Sequence, residues 1–196
     1  MIERSADLQL FIDAAFAVFD RQVEDLNGRR SILEIFGLLE HKGVEKHGTG
    51  SRLPVCEWLP EALALKVDDP LLQHMLGRFE ALEPRLKWRR RSKYDDTASE
   101  NFVDGHANAV IVGPGGLEDR DDVWLGVTLM APGVRYPDHN HAPEETYLVL
   151  SDGEFRQGDS AWFAPGKGGT FYNLPNIKHA MRSLNTPLFA FWALCA

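Results

Sequence analysis

The sequence predicts a mainly β protein, a sandwich or barrel of short strands carrying a helical N-terminal extension. Two patterns predict it, and the composition agrees. Apolar residues recur at helical spacing through the first eighty or so positions. From about Ala107 onward they give way to short β-branched and aromatic runs separated by Gly, Pro, Asn and Asp. The chain has 196 residues, 44% hydrophobic and 26% charged, which suits a single domain that buries its own core.

In the first part, Leu8, Phe11, Ala15, Val18 and Phe19 form one helical face, and Ile32, Ile35, Phe36 and Leu39 a second. Leu71, Leu72, Met75, Leu76 and Phe79 form a third. Asp69 before Pro70 marks a helix start and Pro84 a stop, while His47 to Ser51, with Gly48 and Gly50, reads as a loop. Residues 1–84 are therefore expected to be a helical region that packs on the barrel, and residues 85–196 to be the barrel. Its strands are expected at Ala109–Val112, Val123–Met130, Glu145–Leu150, Ser160–Phe163, Ala180–Leu184 and Leu188–Leu194. Leu148 and Leu150, on the face opposite Glu145 and Tyr147, offer the helices a packing surface.

Charge and cysteine content narrow the function. A net charge of −8 argues against a general affinity for nucleic acid and favours a small-molecule partner. The basic run from Arg85 to Lys93 is the one contrary feature, and it reads as a solvated face paired with nearby acids. Cys56 and Cys195 lie far apart and suggest neither a disulfide framework nor a thiolate zinc site. Glu3, Asp7, Asp13 and Asp20 interrupt the apolar residues of the first twenty positions, so the expectation is a cytoplasmic protein that does not enter a membrane. Neither Gly113–Gly116 nor Pro165–Gly169 has phosphate-loop spacing; Lys167 in the second reads as part of a mobile, gating loop.

The stretch from Gly133 to Tyr147 carries the chemistry. Side chains of an extended chain alternate between faces, so His139 and His141 share one face, and Glu145 and Tyr147 share one beyond the Ala142-Pro143 turn. His179 heads a later strand-like run and can complete the cluster. Imidazole and carboxylate together suit one divalent zinc, iron or manganese ion per chain, held by side chains drawn from His139, His141, Glu145, Tyr147 and His179. By contrast, His41, His47, His74 and His106 stand alone in the sequence and read as structural or exposed.

This stretch resembles the first motif of the cupins: a glycine, five residues, His-x-His, three residues and a glutamate. The resemblance implies a double-stranded β-helix, or jelly-roll barrel. Gly153 follows Glu145 one residue later than the family pattern, implying a longer hairpin. Gly158, Asp159, Pro165 and Gly166 resemble the opening of the second motif. His179 comes late, implying an inserted loop through Gly168, Gly169 and Pro175, and Ser183 stands where an asparagine is usual.

Within the cupins, the run from His139 to Tyr147, with Tyr136 ahead and His179 behind, is similar to the dimethylsulfoniopropionate (DMSP) lyases of the Q-type group, which also place a helical region before the barrel. That resemblance implies metal ligation by His141, Glu145 and His179, with Tyr147 both a neighbour of the metal and the catalytic base. It places Tyr136 at the substrate, while His139 either ligates the metal or faces the substrate. The implied reaction cleaves DMSP to dimethyl sulfide and acrylate. The chemistry is consistent: a Lewis acid acidifies the Cα proton, and a phenol whose ordinary pKa is about 10 becomes a usable base beside a dication. The sulfonium is a good leaving group and favours aromatic faces, for which Tyr136, Trp124, Trp162 and Trp192 are available. Two other classes fit the same residues: another cupin metalloenzyme, such as a non-haem iron dioxygenase or sugar isomerase, and a non-enzymatic small-molecule-binding cupin.

Overall fold

A computed structural model describes residues 4–64 and 68–196. Met1 to Glu3, with the first of the four acidic residues noted above, and Leu65 to Val67 lie outside the described residues.

The helices begin where side chains can satisfy free backbone amides. Ser5 accepts from the Leu8 amide at the start of α1 (Ala6–Gln22), and Asp25 from Gly28 at the start of α2 (Leu26–Leu39). After the single turn α3 (Leu59–Leu63), Asp69 accepts from Leu71 and Pro70 opens α4 (Pro70–Leu82). A 3-10 turn through Pro84 ends that helix, and the short α5 (Phe102–Gly105) leads into the first strand. Each apolar face read from the sequence is buried, Leu71 excepted, which is half-buried at the first turn of α4.

Eight antiparallel strands follow: β1 (His106–Val112), β2 (Val123–Met130), β3 (Arg135–His139), β4 (Glu144–Val149), β5 (Glu154–Gln157), β6 (Thr170–Asn173), β7 (His179–Arg182) and β8 (Leu188–Cys195). They form a five-stranded sheet in the order β1-β2-β8-β4-β6 and a three-stranded sheet in the order β3-β7-β5. This is the mainly β, cupin-like architecture with helices at the N-terminus.

Two apolar clusters fill the molecule. In the first, the helices meet one face of the large sheet; in the second, the other face of that sheet meets the small sheet. β8 shows why its sequence is apolar throughout. Phe189, Phe191 and Ala193 point to the helices, whereas Ala190, Trp192 and Leu194 point into the barrel. Phe79 of α4 meets Phe191 edge-on with ring centroids 5.2 Å apart, and Leu148 and Leu150 join the same cluster. At the far N-terminus, Arg4 Nε lies 2.6 Å from Glu118 Oε2 with both side chains fully buried, tying the segment before α1 to the β1–β2 connection.

Two expectations about strands need correction. Ser160–Phe163 is not a strand: only Phe163 bridges, to Phe155 of β5. The expected inserted loop through Gly168, Gly169 and Pro175 contains β6, which pairs with β4 and extends the large sheet. Both β5 and β6 have only four residues and are half exposed, so neither carries a run of apolar alternation.

Candidate metal centre and cavity

Strand register brings the expected residues together. His139 of β3 pairs directly with His179 of β7, and the two rings approach to a centroid distance of 4.1 Å. His141 follows two residues later and meets His179 at 5.0 Å. One ring nitrogen from each of His139, His141 and His179 lies within 4.8 Å of the others. Opposite them, on the large sheet, Glu145 Oε2 is 3.3 Å from Nε2 of His141 and 3.3 Å from Nε2 of His179. Asn173, its partner across β4 and β6, donates to the same carboxylate oxygen at 3.1 Å.

The histidines are oriented by the backbone. Nδ1 of His139 lies 2.9 Å from the Pro137 carbonyl, Nδ1 of His141 2.8 Å from that of Pro143, and Nδ1 of His179 2.9 Å from that of Ile177. A carbonyl can only accept, so each Nδ1 carries a proton and each ring turns Nε2 inward, where a metal ion could take its lone pair. Nε2 of His179 is buried and, despite its nearness to Glu145, has no hydrogen-bond partner. Lone pairs and a carboxylate facing one another are tolerable only with a cation between them, whether protons or a metal ion. Backbone carbonyls fixing the outer nitrogen are the usual support of metal-bound imidazole. The residues therefore fit a divalent ion, and the fit includes His139.

Electrostatics point the same way. Burial opposes the charge on Glu145, yet the imidazoles of His141 and His179 hold its carboxyl well below the usual range. Burial and the neighbouring His179 push His139 down to about 3. Against the drag of burial, Glu145 raises His141. Tyr147 is driven well above an ordinary phenol by burial and by the Glu145 carboxylate. Its ring is stacked on Phe171, with centroids 5.0 Å apart.

His139, His141, Glu145 and Tyr147 open onto a cavity of about 200 Å³. The inward positions of four adjacent strands form one wall: Asn108 and Val110, Trp124 and Thr128, Trp192 and Leu194, Glu145 and Tyr147. Tyr136, His139 and Met181 face them from the small sheet, and Arg91 joins the lining from the segment before α5. Of the aromatics offered for a sulfonium, Tyr136, Trp124 and Trp192 line the cavity. Trp162 does not; it lies beneath the guanidinium groups of Arg135, Arg156 and Arg182, the nearest 4.4 Å from its ring.

Of the four solitary histidines, His41, His47 and His74 are exposed, and His106 is buried against Phe102. Of the basic run, Arg85 pairs with Glu45 and Arg90 with Asp104 at 2.7 Å, as expected, whereas no ion pair is seen for Lys87, Arg89, Arg91 or Lys93 among the described residues. Sequence reasoning missed Arg91, Asn108 and Thr128 as cavity residues. For the last two a signal existed: polar side chains at inward positions of otherwise apolar strands call for a local reason.

Comparisons with known proteins agree with this geometry. The DMSP lyase family matches residues 27–190. A protein of Cereibacter sphaeroides named dimethylsulfoniopropionate lyase DddL is 35% identical over 75 residues, covering 38% of this chain and 31% of that protein. The dimethylsulfoniopropionate lyase DddQ of Ruegeria pomeroyi is 30% identical over 91 residues, 46% of this chain and 45% of that one. The chain thus matches less than half the length of either relative. The crystal structure of DddQ from Ruegeria pomeroyi superimposes with a TM-score of 0.75 over 98% of this chain and 93% of that one at 21% identity, a likeness of fold. No helix among the described residues is long and apolar enough to cross a membrane. With the family matched across most of its length, the chain belongs to the dimethylsulfoniopropionate lyase family.

Proposed function

We propose that the protein is a metal-dependent carbon–sulfur lyase that cleaves DMSP to dimethyl sulfide and acrylate by base-promoted β-elimination. The observation that carries this reading is the convergence of three inward-facing imidazoles and the Glu145 carboxylate beside a buried phenol, in a cavity walled by two tryptophans. His141, Glu145 and His179 would hold one divalent zinc, iron or manganese ion, and His139 stands close enough to share in it. When bound, the ion supplies Lewis acidity that lowers the barrier to losing the Cα proton and favours phenolate at Tyr147.

The remaining work falls to the chain. Stacking on Phe171 holds the Tyr147 ring in place, and its oxygen, as phenolate, takes the Cα proton. The electron pair left on Cα forms the C=C bond of acrylate as the Cβ–S bond breaks, and sulfur leaves as neutral dimethyl sulfide. Trp124 and Trp192 offer π faces to the sulfonium before it departs. No general acid is needed, because sulfur leaves uncharged. The test is to mix purified protein with DMSP and measure dimethyl sulfide in the headspace against acrylate in solution. Equal amounts support the reading; no dimethyl sulfide from metal-loaded protein sinks it.

A further inference from the structure

One cavity residue has a charge that the elimination chemistry leaves unused. Arg91 lines the cavity, and among the described residues it enters no ion pair. Its Nε donates to the Lys93 carbonyl at 2.8 Å, and its guanidinium carbon lies 5.9 Å from the centre of the Tyr136 ring. The backbone beneath it is fixed: the Arg91 amide donates to Nε2 of His106 at 2.8 Å, and the His106 ring is stacked on Phe102 with centroids 3.8 Å apart. A guanidinium held in place without an acid to neutralise it is a built donor for an anion.

The second donor is Tyr136, and its direction follows from a chain of hydrogen bonds. Trp192 Nε1 can only donate, and it does so to Thr128 Oγ1 at 3.0 Å. The Thr128 hydroxyl must then give its own proton away, to Asn108 Oδ1 at 2.6 Å. With Oδ1 spent, Asn108 presents its amide nitrogen to Tyr136 Oη, 3.0 Å away. An oxygen that accepts from Asn108 keeps its hydrogen to offer, and the cavity is where Tyr136 faces.

We infer that Arg91 and Tyr136 form a carboxylate-binding end of the cavity, Arg91 by charge and Tyr136 as a donor aimed by Asn108, Thr128 and Trp192. The substrate is then oriented by its charges, its anionic end toward Arg91 and the metal centre of the same cavity and its cationic end toward the indoles. This deepens the lyase reading and rests on it for the identity of the substrate, but the carboxylate site itself is testable without turnover. Asn108 and Thr128 are assigned as positioning residues, which aim the Tyr136 hydroxyl from the cavity wall.

Propanoate, an unreactive carboxylate, and propanamide, its neutral counterpart, are the probes, with calorimetry on the protein as isolated and its metal content measured alongside. Wild type should bind propanoate at least tenfold more tightly than propanamide. Arg91→Met should weaken propanoate at least tenfold and leave propanamide unchanged, Arg91→Lys should restore part of the loss, and Thr128→Val should weaken propanoate several-fold with metal content intact. The KM for DMSP should rise in the same order. Propanoate affinity in Arg91→Met within twofold of wild type, or no propanoate binding by wild type, overturns the inference. If Arg91→Met does not fold, Arg91→Lys and Thr128→Val decide it, and full propanoate affinity in both overturns it. Arg91-dependent binding in a protein that releases no dimethyl sulfide would refute the lyase reading and leave the carboxylate site standing.

Discussion

Gly126 and Trp192 are cross-strand partners in β2 and β8, and the indole covers the glycine so closely that a Cβ there would fall 2.2 Å from the ring. No real contact is that short, so Gly126→Ala must displace the indole, and a Cβ would also press on the Ala109 carbonyl at 2.6 Å. The ring can only move toward the cavity it lines. Overpacking of this kind costs about 1–3 kcal/mol. The variant should fold with a lowered Tm, and DMSP turnover should fall about tenfold or more; wild-type kinetics would show that the cavity tolerates a shifted Trp192.

Replacing His141, Glu145 or His179 by alanine should empty the metal centre, because each removes a donor from a group already within bonding reach of one point. The His139→Ala variant should lose metal as well, since its ring nitrogen lies within the same cluster. Elemental analysis of the four purified variants checks this. Full metal in all of them would mean that the cluster is not the site.

Tyr147→Phe keeps the stacking on Phe171 and removes only the oxygen. Assayed with metal in excess, the variant should lose about 100-fold or more in turnover, as expected for a missing general base. Recovery above roughly a tenth of wild-type turnover would assign the proton to another group.

His106 makes stability depend on pH. Its burial, chiefly, lowers the imidazole from 6.5 to about 4. Between those values the unfolded chain binds a proton that the folded chain refuses, so stability falls as pH drops through that window. From pH 7 to pH 5 the loss from this one group is about 2 kcal/mol. Urea unfolding of wild type and His106→Gln at both pH values isolates it: the variant should lose about 2 kcal/mol less. An equal loss in the two proteins would show that His106 does not carry it.

The helical region is proposed to be a cover for the barrel and not a separate unit. Phe79 packs edge-on against Phe191, so Phe79→Ala should destabilise the whole protein in a single transition by about 3–5 kcal/mol. Removing residues 1–84 should give insoluble protein by baring Phe189, Phe191 and Leu148. A soluble, active fragment would contradict the proposal.

How far the sequence reveals these features depends on how local their physics is. The helical faces and β8 are legible because burial repeats along a few consecutive residues. His139, His141 and Glu145 are legible because neighbouring positions on extended chain deliver them to one place. His179 is placed by a register pairing with His139 across forty residues of chain, which no local pattern encodes. Arg91, Asn108 and Thr128 are ordinary residues in ordinary runs; the register of β1 against β2 sets Asn108 opposite Thr128, and the Arg91 amide is tied to His106 of β1, pairings that no local pattern encodes. Gly126 is readable as a gap only once Trp192 stands opposite it. The strands β5 and β6 are too short, and too exposed on one side, to announce themselves.

The candidate ligands are divided between the two sheets. His139 and His179 belong to the small one and Glu145 to the large one, so an ion shared among them acts as a rivet through the barrel. The small sheet has only three strands, two of them its edges, and β5 and β7 are four residues long. Its alignment with the large sheet would therefore be coupled to the same atoms that are proposed to do the chemistry. On the proposed function, any change that loosens the clasp on the ion would also let the jaws of the cavity drift apart, so cofactor affinity and the shape offered to substrate would not be independent properties of this chain.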